Sequence, residues 1–235
     1  QVSDPFRHPL DGISSIFNPI GSFFDKLKVG MLRLGFKSTR HMPDDLSTME
    51  ALQGLGFSHS MIERFWKPFM RGVFLEKDLS TSVRKFEETF RLFAQGETTL
   101  PRRGIGEIPK QMAKELPVEK LKLGHLVSDV HAQKIKTKDG KNWRGTAVVV
   151  ATDFESAGRL LKIDSKPRDW NAVDCFYYSF SDTELPTTHP ILHLNGSCNG
   201  PINNLSFVSI ISDCSPMRNA LLSVSVIDQK EKKTE

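Results

Sequence analysis

The chain has 235 residues, 38% of them apolar, which is enough for one large domain or two modest ones with an apolar core. Its 32 basic and 28 acidic residues give a net charge of +4 and are interspersed, so the sequence lacks the basic stripe of a nucleic-acid-binding protein and no nucleic-acid partner is expected. The three cysteines form no Cys-x-x-Cys pair, which indicates neither a disulfide framework nor a zinc site and favours a reducing compartment.

The first predicted helix opens at Asn18, a capping residue followed by Pro19, and ends at Gly35. Its apolar stripe consists of Ile20, Phe23, Phe24, Leu27, Met31 and Leu34. Basic residues lie off this stripe, so residues 19–34 either pack on a core or form a basic amphipathic surface that touches a membrane. Because such stripes mostly pack inward, the sequence favours the core.

Three more helices are predicted before residue 100. The first covers residues 46–53, the second opens with Ser60 and Glu63 at capping-box spacing and is stopped by Pro68, and the third begins near residues 80–82 and ends at Gly96. Phenylalanine is frequent in this region: Phe57, Phe65, Phe69, Phe74, Phe86, Phe90 and Phe93. These rings could line a site for a large apolar substrate or fill a core, and the sequence alone favours the core.

The pattern changes at Pro101, where a glycine-containing turn leads into a short helix. The apolar side of that helix is predicted to carry Ile105, Ile108, Met112 and Leu116. Alternating apolar positions in residues 121–135 and the Asp139-Gly140 pair predict a β-hairpin. The apolar, β-branched run 147–150 predicts a strand buried on both faces of an α/β sheet, followed by a helix capped by Asp153.

From about Pro167 onward the sequence predicts β structure, with strands over residues 174–180, 205–211 and 221–227. The charged residues 228–235 are predicted to be a disordered tail. His189 and His193 are four residues apart, but Pro190 and the β context break the helical spacing that a metal pair would need, so no metal site is expected.

A family resemblance becomes visible between Pro101 and Leu161. The Pro-x-x-Gly-x-Gly turn, the strand around Val127, the hairpin and the sequence Val-Val-Val-Ala-Thr-Asp at 148–153 resemble the central part of FAD-dependent amine oxidases, phytoene desaturases and protoporphyrinogen oxidase-like proteins. The segments 65–74, 194–196 and 200–204 resemble the same family. Each motif is weak alone, but their order and spacing extend the resemblance over residues 15–227.

The resemblance implies an α/β fold, in which an α+β substrate domain is combined with a fragment of a Rossmann-like FAD domain. Residues 1–100 would form the helical part of the substrate domain, and 101–162 the middle segment of the FAD-binding domain. Residues 163–227 would form the β-rich part of the substrate domain, before the tail at 228–235.

The resemblance also assigns cofactor-binding residues. The backbone of Val127 would read the adenine edge, since an extended chain offers a donor and an acceptor at fixed spacing. Gly104 and Gly106 would allow close approach to the cofactor, and Ala151 and Thr152 would lie at the carboxyl end of a sheet strand, where α/β sheets bind ligands. Alternatively, these residues have only structural roles. Val127 would be a buried strand residue, Gly104 and Gly106 would form a turn that opens a helix, and Ala151 and Thr152 would end a strand.

The strongest flavin motif of the family, a strand followed by Gly-x-Gly-x-x-Gly and a helix, does not occur in the sequence. We therefore expect that both FAD-binding termini lie outside this chain, that Gln1 is not the natural start, and that the chain alone neither binds FAD tightly nor is active. No catalytic residue is assigned, because in this class the flavin itself accepts the hydride.

Two functions remain open from the sequence. In the first, the chain is part of a flavin-dependent oxidoreductase that oxidises an amine or a large apolar substrate by hydride transfer to FAD. In the second, it is a non-catalytic truncated paralogue or interaction module that binds a protein or a membrane surface through residues 19–34. Resemblance to carotenoid-pathway enzymes implies a plastid as the compartment.

Overall fold

The computed structural model describes residues 19–35, 39–96, 98–164, 170–197, 199–215 and 219–227. Helices and two antiparallel sheets make it a mixed α/β chain, as predicted. It divides into two compact units, the first comprising Gln1–Ile105 with Asn171–Glu235, and the second Gly106–Trp170. Asn18, the predicted helix cap, and the predicted tail 228–235 lie outside the described residues.

The helices of the first unit are α1 (Phe23–Arg33), α2 (Thr48–Gly54), α3 (His59–Met61), a π-helical turn (Ile62–Trp66), α4 (Lys67–Phe74) and α5 (Val83–Gln95), with 3₁₀ turns at Thr39–His41, Asp182–Glu184 and Val208–Ile210. None of the helices in the described ranges is long and apolar enough to cross a membrane. The predicted helices 46–53 and 80–96 are confirmed, with Ser47 and Ser82 as their caps.

The predicted start of α1 at Asn18-Pro19 is wrong. Gly21 has a φ of 72°, outside the helical range, and the helix begins after it with Ser22 as its cap. Ser22 and Asp25 form a capping box, in which the Ser22 hydroxyl accepts from the Asp25 amide at 3.1 Å and the Ser22 amide donates to the Asp25 carboxylate at 2.7 Å. Gly35, with a φ of 75°, follows the end of the helix as predicted.

The prediction that Pro68 stops the third helix is also wrong. The Lys67 amide donates to the Ile62 carbonyl five residues back, which is the wide turn of a π-helix. Pro68 therefore lies in the first turn of α4, where a missing amide is tolerated. The cap of this segment is Ser58 rather than the predicted Ser60, and its hydroxyl accepts from the Met61 amide at 3.2 Å.

The core of the first unit surrounds Trp66, which is fully buried. Its ring lies 5.3 Å from that of Phe57 and 5.6 Å from that of Phe86, both edge-to-face. The buried cluster consists of Leu52, Leu55, Phe57, Met61, Ile62, Trp66, Met70, Leu79 and Phe86, with Phe65, Phe69, Phe74 and Phe90 packed against it. The phenylalanine-rich helices thus form a core, which is the interpretation that the sequence favoured.

The strands of the first unit are β4 (Val173–Phe180), β5 (Leu192–Leu194), β6 (Ile202–Phe207) and β7 (Ala220–Ile227). They form one antiparallel sheet in the order β4-β7-β6-β5, and β6 and β7 contact α4. The predicted strand 205–211 is wrong in its second half, because the chain leaves the sheet after Phe207 and turns into a 3₁₀ helix.

The second unit contains α6 (Glu107–Lys114), a 3₁₀ turn (Val118–Lys120), the antiparallel strands β1 (Val127–His131), β2 (Lys134–Thr137) and β3 (Asn142–Arg144), and α7 (Phe154–Leu161). The hairpin at Asp139-Gly140 is confirmed, with Gly140 at a φ of 82°. Asp153 caps α7 as predicted, and its carboxylate accepts from the Ser156 amide at 2.8 Å.

The predicted buried strand at 147–150 is wrong. These residues belong to no strand, and Val149 is 87% exposed. A strand requires a neighbour to satisfy its backbone, and the described residues of this unit offer no further strand beside β1, β2 and β3.

Candidate functional site

Gly104 closes a turn whose conformation requires glycine. Its φ is 90°, and its amide donates to the Pro101 carbonyl at 2.9 Å. The turn is fixed by Ser212, whose hydroxyl lies 2.7 Å from the carbonyl oxygens of both Pro101 and Arg102. Arg102 also pairs with Asp213 at 2.9 Å. Backbone geometry therefore accounts for glycine at 104 without a ligand.

Gly106 differs from Gly104 because no conformational or packing requirement explains it. Its φ of −62° is accessible to any residue, and a β-carbon placed there would meet nothing within 4 Å. It precedes α6, where amide groups at the helix amino terminus point outward. The space at this position could take a ligand or further polypeptide.

Val127 begins β1, which is an edge strand of the three-stranded sheet of the second unit. It pairs with Thr137 on β2, and a register shift follows between Val127 and Asp129. The outer backbone edge of β1 faces away from β2, and such edges carry the donors and acceptors that can pair with an added group. This geometry is compatible with backbone recognition of a nucleotide base.

Ala151 and Thr152 are exposed and lie at the amino terminus of α7 rather than at the end of a paired strand. Hydrogen bonds from the side chain and the amide of Ser156 hold the pKa of the Asp153 carboxyl below its usual range. α7 packs against β1, so the segment after Thr152 and the strand that begins at Val127 lie together in the second unit. Lys162 reinforces this packing through Asp129, at 3.4 Å.

Many large apolar side chains of the second unit are exposed. No residue of α6 is buried, and Ile108, Met112 and Leu116 on its predicted apolar side are all exposed. Further exposed apolar residues of this unit are Val118, Leu121, Leu123, Leu126, Val149, Phe154, Leu161 and Ile163. Apolar exposure on this scale is typical of a surface that another molecule or segment covers.

The segments 65–74, 194–196 and 200–204, which carry part of the family resemblance, meet in the first unit. A β-carbon on Gly196 would lie 2.8 Å from the Arg64 carbonyl oxygen, and one on Gly72 would lie 2.8 Å from the Asn204 amide nitrogen. Asn203 is buried and donates to the Pro68 carbonyl at 3.0 Å. These motifs therefore hold the β5–β6 hairpin against the helix that contains Trp66.

A cluster of polar side chains on β4 and β7 could not be predicted from the sequence. The Cys175 sulfur lies 3.3 Å from the Ser223 hydroxyl, and Tyr177 is paired with Ser223 across the strands. A hydrogen bond with Cys175, the negative charge of its thiolate form and partial burial together raise the pKa of the Tyr177 phenol. The sequence shows that Cys175 and Tyr177 alternate along β4, but it does not show that β4 pairs with β7.

The fold resembles that of a solved structure. It is similar to a crystal structure of reduced UDP-galactopyranose mutase, with a TM-score of 0.53 and 16% sequence identity over 88% of this chain and 52% of that chain. The chain thus spans about half the length of that structure. A comparison with curated proteins found no match.

A sequence model of flavin-containing amine oxidoreductases matches residues 6–181, which is more than half of the chain. The chain belongs to this family. The resemblance inferred from the motifs at 101–161 is thereby confirmed.

Proposed function

We propose that this chain supplies the substrate domain and one nucleotide-binding segment of an enzyme that binds FAD and oxidises an amine or a large apolar molecule. The strongest support for the proposal is the structure of the second unit, in a chain that belongs to a flavin-containing family. There an edge strand begins at Val127, and a helix opens at Gly106 beside unfilled space.

The residues present fit one end of FAD. The outer edge of β1 at Val127 would pair with adenine, Gly106 would allow the cofactor to approach the backbone, and Ala151 with Thr152 would face it from the start of α7. The sequence contains no Gly-x-Gly-x-x-Gly motif to hold a pyrophosphate. We therefore propose that additional polypeptide completes the cofactor site and covers the exposed apolar side chains of the second unit.

When bound, the flavin would supply the hydride acceptor. The residues of this chain would bind and orient the substrate. Between the two substrate classes, the polar cluster on β4 favours an amine, since Tyr177, Cys175 and Ser223 offer hydrogen bonds on an accessible sheet face. A tyrosine phenol is protonated at neutral pH, and the oxygen of Tyr177 can accept a hydrogen bond from an ammonium group.

The test compares the flavin content of the complete gene product with that of this chain. The complete protein should be purified with FAD bound, whereas titration of this chain with FAD should give no saturable complex. The variant Gly106→Asp places a carboxylate in the space proposed for the cofactor and should lose FAD. Gly30→Asp is the matched control, since a β-carbon there also meets nothing within 4 Å, and it should keep FAD.

Anaerobic mixing with amines and with apolar substrates would then separate the two substrate classes. Flavin bleaching by amines alone supports the amine, and Tyr177→Phe should lower kcat/KM for amines without changing the FAD content. A complete protein that carries no flavin, or a Gly106→Asp variant with full FAD content, contradicts the proposal. A flavin-free complete protein would favour the non-catalytic interaction module instead.

A further inference from the structure

The outward face of α1 is apolar, which reverses the arrangement that the sequence favoured. Phe23, Phe24, Leu27 and Leu34 are between 52% and 69% exposed. The opposite side of the helix faces the core, with Asp25 buried and Val29 and Leu32 packed against the cluster around Trp66. At roughly 100° per residue, Phe23, Leu27 and Leu34 fall in one narrow stripe with Phe24 at its side.

Cationic residues border this stripe on both sides. By the same helical spacing, Lys26 and Arg33 lie along one border and Lys28 along the other. Two of them are anchored close to the helix: Lys28 donates to the Gly56 carbonyl and lies 6.0 Å from the ring centre of Phe57, and Arg33 donates to the Ala94 carbonyl at 3.2 Å. The single acidic residue of α1, Asp25, is buried, so the charge that α1 itself presents around its apolar face is positive.

We infer that α1 docks the first unit on an anionic lipid bilayer. Phe23, Phe24, Leu27 and Leu34 enter the boundary between headgroups and acyl chains, and the bordering lysines and Arg33 contact anionic headgroups. An exposed aromatic and aliphatic face flanked by cations has the chemistry of an interfacial helix, and the positive border complements the negative surface of such a membrane. This inference stands independently of the proposed cofactor and substrate.

The test is co-sedimentation of the full chain with two kinds of vesicle, phosphatidylcholine mixed with phosphatidylserine and phosphatidylcholine alone. The chain should bind the anionic vesicles at least about ten-fold more strongly, and binding should weaken as salt screens the headgroup charge. The triple variant Phe23→Ser, Phe24→Ser, Leu27→Ser should lose at least about ten-fold in binding, because it removes most of the inserted apolar surface.

Two further variants keep the test specific. A control triple, Leu92→Ser, Met112→Ser, Val118→Ser, removes apolar side chains of similar exposure elsewhere and should bind as the original chain does. Lys26→Gln with Lys28→Gln keeps the apolar face and should lose the preference for anionic vesicles. Circular dichroism shows whether each variant is folded.

Three results would overturn the inference. The first is no binding of the original chain to anionic vesicles, and the second is an α1 triple variant that binds as well as the original. The third is a control triple that loses as much as the α1 triple. A shift from dimer to monomer in the α1 triple without any vesicle binding would assign the face to a second copy of the chain instead.

Discussion

The helix around Trp66 and α6 both carry apolar residues at helical spacing, but their surroundings are opposite. Both place apolar side chains at helical spacing, yet Met70 on α4 is fully buried while Met112 on α6 is 68% exposed. Among the described residues of the second unit, only Thr137 and Gly158 are buried. The comparison shows that helical periodicity identifies a face without identifying what covers it.

The two units differ in burial because they differ in how much apolar surface their own elements can cover. The helices of the first unit pack on one another around Trp66, and α4 also packs on β6 and β7. Each of these helices therefore buries one side, although the outward stripe of α1 stays exposed. The second unit has an eight-residue α6, an eight-residue α7 and three short strands, which bury little apolar surface. Substitutions at Trp66, Gly196, Asp25 and Met112 test the packing within each unit.

The largest effect is expected at Trp66. Trp66→Ala should lower the free energy of unfolding of the first unit by about 3–5 kcal/mol, because it leaves a cavity among Phe57, Phe86 and Phe90. Urea unfolding followed by far-ultraviolet circular dichroism measures the change. Trp170→Ala is the control, since this exposed ring donates a hydrogen bond to Glu155 outside the core, and it should cost less than about 1 kcal/mol.

Trp66→Phe refines this test. The buried indole nitrogen of Trp66 has no hydrogen-bond partner among the described residues, so its removal loses packing but no hydrogen bond. The cost should stay below that of Trp66→Ala. Equal losses for the alanine variants of Trp66 and Trp170 would show that the first unit does not depend on this cluster.

The second effect concerns the contact between the β5–β6 hairpin and the π-helical turn. Gly196→Ala should cost about 1–3 kcal/mol, because its β-carbon would lie 2.8 Å from the Arg64 carbonyl oxygen and the backbone would have to move. Gly30→Ala, in the open middle of α1, should stabilise the helix by about 0.5–1 kcal/mol. Urea midpoints of the two variants should therefore shift in opposite directions, and a shift of both in the same direction contradicts the packing described.

Much of the first unit could be predicted from local sequence. Ser82, Gly96 and the spacing of Phe86 and Phe90 were sufficient for α5, because caps and periodicity act within a few residues. The start of α1 could not be predicted in the same way. The observed cap, Ser22, is fixed by Asp25, which also binds Ser58, 33 residues further along the chain.

In the candidate site, too, some features follow from local sequence and others depend on distant residues. The need for glycine at 104 follows from a turn, and turns are encoded locally. The run 147–150 has the composition of a buried strand, but a strand forms only beside a partner, and the partner is not encoded in the run itself. The polar cluster at Cys175 and Ser223 depends on a register between strands 48 residues apart, which no local pattern specifies.

The third prediction concerns acid stability and Asp25. Burial alone would raise the pKa of Asp25, but hydrogen bonds from the side chains and amides of Ser58 and Ser22 outweigh it and lower the pKa from 3.8 to about 2. A lowered pKa means that the stabilisation is complete above about pH 4 and is lost as the pH falls through 2. It amounts to about 2 kcal/mol.

Asp25→Asn should therefore lower the free energy of unfolding by about 2 kcal/mol at neutral pH and flatten its decline between pH 4 and pH 2. Urea unfolding at a series of pH values measures both quantities. Glu50→Gln is the control, since it alters an exposed capping box with Ser47 and should leave most of the decline in place. The same decline in the Asp25→Asn variant as in the original chain would remove Asp25 as its cause.

The smallest effect is expected on α6. Met112→Ala should change the free energy of unfolding of this chain by less than about 0.5 kcal/mol, because the side chain is largely exposed. Met70→Ala, the matched methionine on α4, should cost about 2–5 kcal/mol. Hydrogen exchange followed by mass spectrometry reports each helix separately, through the protection of peptides from α6 and α4.

Met112→Ala also tests whether the apolar surface of the second unit is completed by further polypeptide. In the complete gene product the same substitution should cost more than about 2 kcal/mol, since the side chain would then be buried against added segments. A neutral effect in both proteins would mean that α6 remains exposed, and the proposed completion of the cofactor site on this surface would then be wrong. A large loss in this chain alone would show that α6 is already covered and that the contrast between the two units does not hold.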